Sequence, residues 1–188
     1  MTDYFYQVAE QFTQPVTAAA QLLGFVPLLL NWFIFRPHSR NTSIAIKAVS
    51  DGFTALHFLL LQEWTGCAIN CVNIGRGICF SQREKHAWAS GVYLPVVFCI
   101  LTIGFSALSW MGPESLLPMV GTCFAVIGYW CKDPAHLRRL VLCGIFLWLI
   151  YGVITISVPT VAGNLISITS IILTELRTAP SKNKEAVS

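Results

Sequence analysis

Charged residues are scarce in this chain. Of its 188 residues only 11% are charged, while 55% are hydrophobic, and soluble domains carry about 25% charged residues. The mean hydropathy is +0.64, which is more apolar than a water-soluble core of this size requires. The net charge of +3 is small, and no zinc-finger, phosphate-loop or helix-turn-helix signature occurs, so nucleic acid is not expected as a partner. Composition therefore predicts an all-α integral membrane protein.

Catalytic and metal-binding patterns are also missing. Seven cysteines occur but no CxxC pair, so neither a metal site nor a disulfide framework is predicted. Most of the cysteines are expected to be small packing residues. The apolar segments contain no HExxH motif, nucleophile elbow or pair of catalytic carboxylates. We therefore expect no enzymatic activity, no catalytic residue, no cofactor and no metal.

The N-terminal segment, residues 1–15, lacks basic residues. It contains Asp3 and Glu10 but neither Lys nor Arg, whereas a secretory signal peptide begins with a positively charged region. We expect no cleaved signal. The segment is either a frayed tail or a short interfacial helix with an apolar face, and the sequence leaves both open.

Long apolar stretches fill the rest of the chain. A helix needs about 20 mostly apolar residues to cross the hydrocarbon layer. On that measure the sequence divides into seven predicted spans with short connectors, at 16–35, 44–62, 65–82, 90–110, 115–131, 138–156 and 158–176. No soluble domain fits between them.

The basic residues alternate with these spans. Lys and Arg accumulate in short cytoplasmic loops of membrane proteins. With seven spans and the N-terminus outside, the cytoplasmic segments hold 11 of the 12 basic residues, and the outer turns near Glu63, Glu114 and 155–159 hold none. The 11 are Arg36, Arg40, Lys47, Arg83, Lys85, Lys132, Arg138, Arg139, Arg177, Lys182 and Lys184. The predicted topology is therefore N-out and C-in.

A weak internal repeat accompanies the seven spans. At an offset of 91, Asn164 falls on Asn73 and Pro118 on Pro27. Helices one to three and five to seven would be two parallel copies related by an axis along the membrane normal, a known transporter plan. The predicted units are bundle 1 at 16–82, a linker helix with its flanking loops at 83–114, bundle 2 at 115–177 and a polar cytoplasmic tail at 178–188.

The second copy carries a recognisable motif. Trp148, Tyr151 and Gly152, followed by Pro159 and Asn164, resemble the WxxYG…P…N pattern that closes the triple-helix repeat of SWEET and SemiSWEET sugar transporters. Across residues 20–177 the chain is still more similar to the bacterial YgjV-type inner membrane family. This similarity rests on HFLLL at 57–61, LLPMVGT at 116–122 and the basic segment before FLWLIYG. The resemblance implies a multi-pass protein of the bacterial inner membrane with a 3+1+3 helix arrangement.

Four polar or aromatic residues are candidates for solute binding. Buried amides are costly in a bilayer unless paired, so Asn73 and Asn164 either contact a hydroxyl-bearing solute or join helices as structural residues. The resemblance implies sugar-contacting asparagines and an aromatic residue that stacks on the sugar ring. Trp148 fits that role, and His57 occupies the equivalent repeat position with a titratable group. A buried packing role for His57 stays open.

Two charges and two prolines complete the candidate residues. Asp51 and Arg76 lie well inside predicted spans, where ionisable side chains are rare unless paired or facing a watery cavity. They are predicted to form an ion pair, either at an inner gate or as a static link between helices. Pro27 and Pro118 are predicted hinges, because proline removes a helical hydrogen bond.

The sequence favours a transporter of a small polar solute, sugar-like or another small metabolite, working by alternating access between the two bundles. The alternative is a receptor or scaffold that keeps the repeat fold without transport. Membrane lipid and the solute are the expected partners, and assembly into a homo-oligomer stays open.

Overall fold

The computed structural model describes residues 2–34, 40–83, 85–131 and 133–185. Within them the chain forms eight α-helices and no strand. Arg36 and Lys132, which the topology prediction counts as cytoplasmic, lie outside the described residues. The helices are α1 Thr2–Gln11, α2 Pro15–Ile34, α3 Arg40–Leu60, α4 Trp64–Ser81, α5 Tyr93–Leu108, α6 Leu116–Trp130, α7 Pro134–Ile154 and α8 Val158–Glu185.

Helices α2 to α8 lie where the seven apolar segments were predicted. Ala135–Ile154 in α7 has both the length and the hydropathy of a membrane span, and shorter apolar helical stretches occupy Pro15–Leu30, Tyr93–Leu108 and Val158–Leu173. The all-helical fold agrees with the prediction, whereas seven membrane crossings stay a prediction. Helix α8 continues beyond the predicted end at 176 and through most of the segment predicted as a polar tail.

Helix α5 turns its apolar side chains outward. Its inner stripe contains Phe98 with the hydroxyl residues Thr102 and Ser106, which are buried, while Ile100 and Leu108 are 62% and 85% exposed. Across the described residues, Gln21, Thr65 and other hydroxyl or amide side chains are likewise fully buried. A protein surrounded by water would bury the apolar groups and expose the polar ones. This reversed distribution is expected where lipid covers the surface.

Neighbouring helices in the sequence pack against each other. α2 packs on α3 and α3 on α4, and in the same way α6 packs on α7 and α7 on α8. Helix α5 lies between α4 and α6, and further contacts join α2 to α8 and α4 to α6. The connections at 61–63, 131–133 and 155–157 are short, which is typical of antiparallel neighbours. The group α2–α4 thus meets the group α6–α8 where α2 packs on α8 and α4 on α6.

One end of the molecule collects basic residues. Arg83, just after α4, donates from Nη1 to the Trp130 carbonyl at 3.0 Å and lies 3.9 Å above the centre of that indole ring. Arg138 near the start of α7 donates to Glu175 of α8 at 2.5 Å. These contacts bring the end of α4, the end of α6 and the start of α7 together, as the predicted cytoplasmic side requires.

Asp133 begins helix α7 at the same end. Its carboxylate accepts from the backbone N–H groups of Ala135 and His136, which otherwise lack helical partners. The His136 side chain and these N–H groups lower the pKa of Asp133. The sequence Asp-Pro is thus a complete helix start, with the side-chain cap followed directly by proline.

The two predicted hinges occupy different helical positions. Pro27 lies inside α2, where its missing N–H removes one bond of the helix. Pro118 lies in the first turn of α6, where N–H groups have no helical acceptor and proline removes nothing. Pro27 thus interrupts helical hydrogen bonding and Pro118 does not, while the hinge role of both stays a prediction. Helices α6 and α7 approach each other closely at Gly144. A Cβ added at this residue would lie 2.5 Å from the Gly121 carbonyl oxygen.

Candidate functional site

The α3–α4 and α7–α8 turns repeat one backbone geometry. The Glu63 N–H donates to the Phe58 carbonyl at 2.8 Å, and the Ser157 N–H donates to the Gly152 carbonyl at 2.9 Å. In each turn the residue before the donor has a positive φ, 61° and 53°, although neither is glycine. Such a left-handed residue is the usual end of a helix when the chain reverses. Each residue of the second turn lies 94 positions after its counterpart in the first, from 62 to 156.

Two side-chain hydrogen bonds connect these turns reciprocally. His57 of α3 lies with Nε2 2.6 Å from Oγ of Ser157 in the α7–α8 turn. Tyr151 of α7 donates its hydroxyl to Oε2 of Glu63 in the α3–α4 turn at 3.0 Å. His57 and Tyr151 are 94 positions apart, as are Glu63 and Ser157. Each long helix therefore reaches the turn of the other group from the equivalent position.

Both ring nitrogens of His57 are engaged. Nδ1 lies 2.7 Å from the Ala20 carbonyl, and since a carbonyl only accepts, Nδ1 carries a proton in this contact. Nε2 lies 2.6 Å from the hydroxyl oxygen of Ser157, and the Ser157 hydroxyl donates to Oγ1 of Thr160 at 2.6 Å. The side chain is only 1% exposed. A solute could contact His57 only after these bonds open.

Aromatic rings fill the space between α3 and α7. The Phe58 ring lies 5.0 Å from His57, 5.9 Å from Trp148 and 5.6 Å from Tyr151, measured between ring centres. Trp148 and Tyr151 meet edge to face at 5.7 Å. Phe58 and Tyr151 are fully buried. Two of the four predicted binding residues, His57 and Trp148, thus belong to one aromatic cluster whose centre, Phe58, was not predicted.

The indole N–H of Trp148 is hydrogen-bonded to a neighbouring helix. Its indole Nε1 donates to Oγ1 of Thr122 on α6 at 3.1 Å, and Thr122 is buried. The indole is therefore held in place by α6 on one side and by the aromatic cluster on the other. Its ring is partly buried, with some surface left free for contact.

The asparagines occupy different environments. Asn73 on α4 has a buried Oδ1 without a hydrogen-bond partner in the described segments, and Asn164 on α8 is partly exposed. At the spacing of 94 set by the turns, the counterpart of Asn164 is Asn70, which is buried and donates to the Gly66 carbonyl at 2.8 Å. The sequence offset of 91 differs by three residues, close to one helical turn. The predicted offset of 91 and the turn spacing of 94 therefore pair Asn164 with different residues, and the repeat itself stays a prediction.

The predicted intramembrane charges are both buried but have different closest partners. Asp51 pairs with Lys47, one turn earlier on α3. The Arg76 guanidinium carbon lies 5.2 Å above the centre of the Tyr129 ring on α6, and Nη1 of Arg76 has no hydrogen-bond partner among the residues that the structure describes. Asp51 still interacts electrostatically with Arg76. The structure thus places Lys47, rather than Arg76, in direct ion-pair contact with Asp51.

Glu63 lies in the turn, outside the predicted spans. Burial raises the pKa of its carboxyl; the hydrogen bond from Tyr151 opposes this shift, and the nearby charge of Glu114 adds to it. Thr65 at the start of α4 donates to the Ser109 carbonyl at 2.6 Å and lies 3.0 Å from the Ser115 hydroxyl. Hydrogen bonds therefore link the start of α4 with the end of α5 and the start of α6. This side of the molecule is opposite the basic end.

A polar cavity of about 350 Å³ lies beside the α7–α8 turn, at the corner of α1 and α2. It is lined by Gln7, Glu10, Gln11, Gln14, Thr17 and Ile156. Gln21 donates to both the Gln11 side chain at 2.8 Å and the Ile156 carbonyl at 2.7 Å. Within the described part of the chain, no three His, Cys, Asp or Glu side chains come together as metal ligands.

Four important residues were missed by sequence reasoning: Phe58, Glu63, Tyr151 and Ser157. Glu63 was noted only as an outer turn, and Tyr151 only as part of the motif. A signal was present, because Glu63 and Ser157 each lie three residues after the end of the helix that carries His57 or Tyr151. It became visible only when the two turns were aligned by their backbone.

An all-helical chain that buries its polar groups and exposes its apolar faces belongs to the class of helical membrane proteins. Residues 18–182 match the model of the Imp-YgjV family, described as a bacterial inner membrane protein. The chain belongs to this family, which confirms the family predicted from its motifs and the inner-membrane location. The SWEET-like repeat stays a prediction. No curated protein and no solved structure matches the chain.

Proposed function

We propose that the protein transports a small polar solute across the inner membrane by alternating access. Helices α2–α4 and α6–α8 act as the two moving units, α5 joins them, and seven helices cross the membrane with the N-terminus outside. This arrangement also requires the membrane lipid as a partner. The observation that carries the proposal is the reciprocal pair of hydrogen bonds, His57 to Ser157 and Tyr151 to Glu63.

These two bonds join the units at the side that the topology prediction assigns to the exterior. A typical hydrogen bond contributes about 0.5–1.5 kcal/mol net. Two such bonds stabilise the closed side by about 1–3 kcal/mol, which a solute with modest differential affinity can offset. They thus suit a gate that opens and closes.

A non-transporting receptor or scaffold is the second candidate. The observation that favours it is the packing of the fully buried rings of Phe58 and Tyr151 between α3 and α7. A space sealed permanently by these rings would bind a solute or partner from one side only. Fold alone does not decide between the two functions.

Uptake into proteoliposomes tests the proposal. A panel of radiolabelled sugars, organic acids and nucleosides is offered to wild type, Asn73→Ala, Asn164→Ala and the double variant. We expect uptake of at least one class and its loss in the double variant, with folding unchanged by circular dichroism. Tyr6→Phe, which changes a 77% exposed side chain, is the control.

Normal uptake in the double variant would refute the asparagine site. Solute-dependent stabilisation of the wild type without uptake of any panel member would favour the receptor.

A further inference from the structure

Helix α4 carries two buried polar atoms that have no hydrogen-bond partner among the described residues. Asn73 and Arg76 are three residues apart and therefore share one face of the helix. Arg76 is only 8% exposed, yet within the described part of the chain its Nη1 has no acceptor and the Oδ1 of Asn73 has no donor. Leaving a buried donor or acceptor unsatisfied costs about 1–3 kcal/mol, and more for a charged group. Such pairs of orphaned atoms call for a physical explanation.

The charge around Arg76 is not balanced. Lys47 pairs with Asp51, and Asp51 also acts on Arg76, so two cations share one carboxylate and one positive charge is left over. The face of the Tyr129 ring attracts the guanidinium, and such a cation–π contact contributes about 0.5–2 kcal/mol. The ring is uncharged, however, so it does not neutralise the guanidinium. Asp51 and Cys99 are the other titratable groups that act on Arg76. Within a membrane helix, an uncompensated cation marks a site for an anion.

The two unpaired atoms require different groups on a ligand. Arg76 offers a donor that suits a carboxylate or phosphate oxygen, whereas Oδ1 of Asn73 needs a donor from the ligand. A simple carboxylate would satisfy only the first. A ligand with an anionic oxygen next to a hydroxyl or amino group would satisfy both.

We propose that Arg76 and Asn73 form a binding site for a small anion that also carries a hydroxyl or amino group. This inference rests on the proposed transport function where it names the class of solute. The same chemistry is offered by the phosphatidylglycerol headgroup, whose phosphate is flanked by hydroxyls.

Thermal unfolding of the purified protein in nanodiscs of neutral lipid tests the site. Sodium lactate is compared with sodium propionate, which lacks the hydroxyl, and with sodium chloride at equal ionic strength. Inorganic phosphate is a further probe with both donor and acceptor oxygens. We expect lactate and phosphate to raise the unfolding midpoint by several degrees and propionate to raise it less.

Three variants assign the effect. Arg76→Gln should abolish the response to lactate and phosphate, while Arg139→Gln removes an exposed cation and should respond as wild type does. Asn73→Ala should erase the difference between lactate and propionate. If Arg76→Gln does not fold, Asn73→Ala carries the test, and a lactate preference that persists in it overturns the site.

Equal shifts with chloride and lactate, or a wild-type response in Arg76→Gln, would also overturn the proposal. Nanodiscs containing phosphatidylglycerol distinguish the two sources of the anion. Stabilisation by this lipid that depends on Arg76 and that lactate does not reproduce would overturn the assignment to a free solute.

Failure of this site and failure of transport give different results. Uptake of a neutral sugar without any response to anions would leave transport standing and remove the anion site. An Arg76-dependent response to lactate without uptake of any solute would retain the site and remove transport.

Discussion

Removal of the Tyr151 hydroxyl is the most informative perturbation of the reciprocal bonds. Tyr151→Phe deletes the donor to Glu63 but keeps the ring that packs against Phe58 and Trp148. Any effect therefore reports the hydrogen bond rather than the loss of a buried aromatic side chain. Tyr6→Phe makes the same chemical change on a side chain that is 77% exposed.

The size of the effect follows from the geometry. The bond is 3.0 Å long, and its acceptor is a half-buried carboxyl in a turn. A hydrogen bond to a charged group contributes about 1.5–3 kcal/mol and a neutral one about 0.5–1.5. Water reaches part of Glu63, so we expect about 1–2 kcal/mol. This corresponds to a change of roughly 5- to 30-fold in the ratio of open to closed turns.

Hydrogen–deuterium exchange in nanodiscs measures this opening. Exchange reports local unfolding segment by segment, so a peptide covering residues 61–66 follows the α3–α4 turn. We expect exchange there to accelerate by roughly 5- to 30-fold in Tyr151→Phe, although residue 151 lies on α7. In Ser157→Ala, which breaks the bond to His57, we expect the peptide around residue 57 to accelerate.

Unchanged exchange in residues 61–66 would refute the reasoning, because the bond would then contribute nothing to closing the turn. A uniform acceleration over all helices would do the same, since it would indicate global destabilisation. Exchange in Tyr6→Phe sets the baseline for both comparisons.

Four further predictions concern packing, backbone strain, pH and topology. Gly144→Ala should lower the thermal unfolding midpoint, because overpacking of the new Cβ against the Gly121 carbonyl costs about 1–3 kcal/mol. The control Gly104→Ala, whose new Cβ has no described atom within 4 Å, should leave the midpoint unchanged. Equal midpoints of the two variants would contradict the close approach of α6 and α7. Ile156→Gly should raise the midpoint by removing about 1 kcal/mol of left-handed strain, and a lower midpoint would argue against that backbone conformation. The pKa of Glu63 is raised in the folded protein, so protonation of this carboxyl stabilises the folded state. This stabilisation is complete below the pKa of an exposed carboxyl and is lost as pH rises through the raised pKa. Unfolding free energies measured against pH should lose this dependence in Glu63→Gln. A C-terminal alkaline phosphatase fusion should be inactive and a green fluorescent protein fusion fluorescent, and the reverse pattern would exclude a cytoplasmic C-terminus.

The helical architecture could be predicted because it depends on local properties. Apolar length and the positions of Gly, Pro and charge mark the helices, and the turns at 61–63 and 155–157 were placed within a few residues. The burial of His57 and its proximity to Trp148 through Phe58 were not predictable. Contacts between residues about 90 positions apart depend on how the helices pack, which hydropathy does not encode.

The partner of Asp51 shows the same limit. From sequence, Arg76 was the natural choice because both residues lie inside predicted spans. The topology prediction counts Lys47 among the basic residues at the cytoplasmic side, yet it lies one helical turn from Asp51 and reaches it along α3. A flexible lysine side chain can extend several ångströms along a helix, so an interfacial position does not exclude a buried partner.

The reciprocal bonds have a consequence for the evolution of such a chain. In an assembly of two identical halves, the residues equivalent to His57 and Tyr151 would be the same, and so would those equivalent to Glu63 and Ser157. Both links would then have the same chemistry. In this protein one link uses an imidazole with a serine, and the other a phenol with a carboxylate. Joining the halves through α5 frees each position to mutate by itself. Mutations at one link can thus alter its strength or its response to protons while the other link stays unchanged.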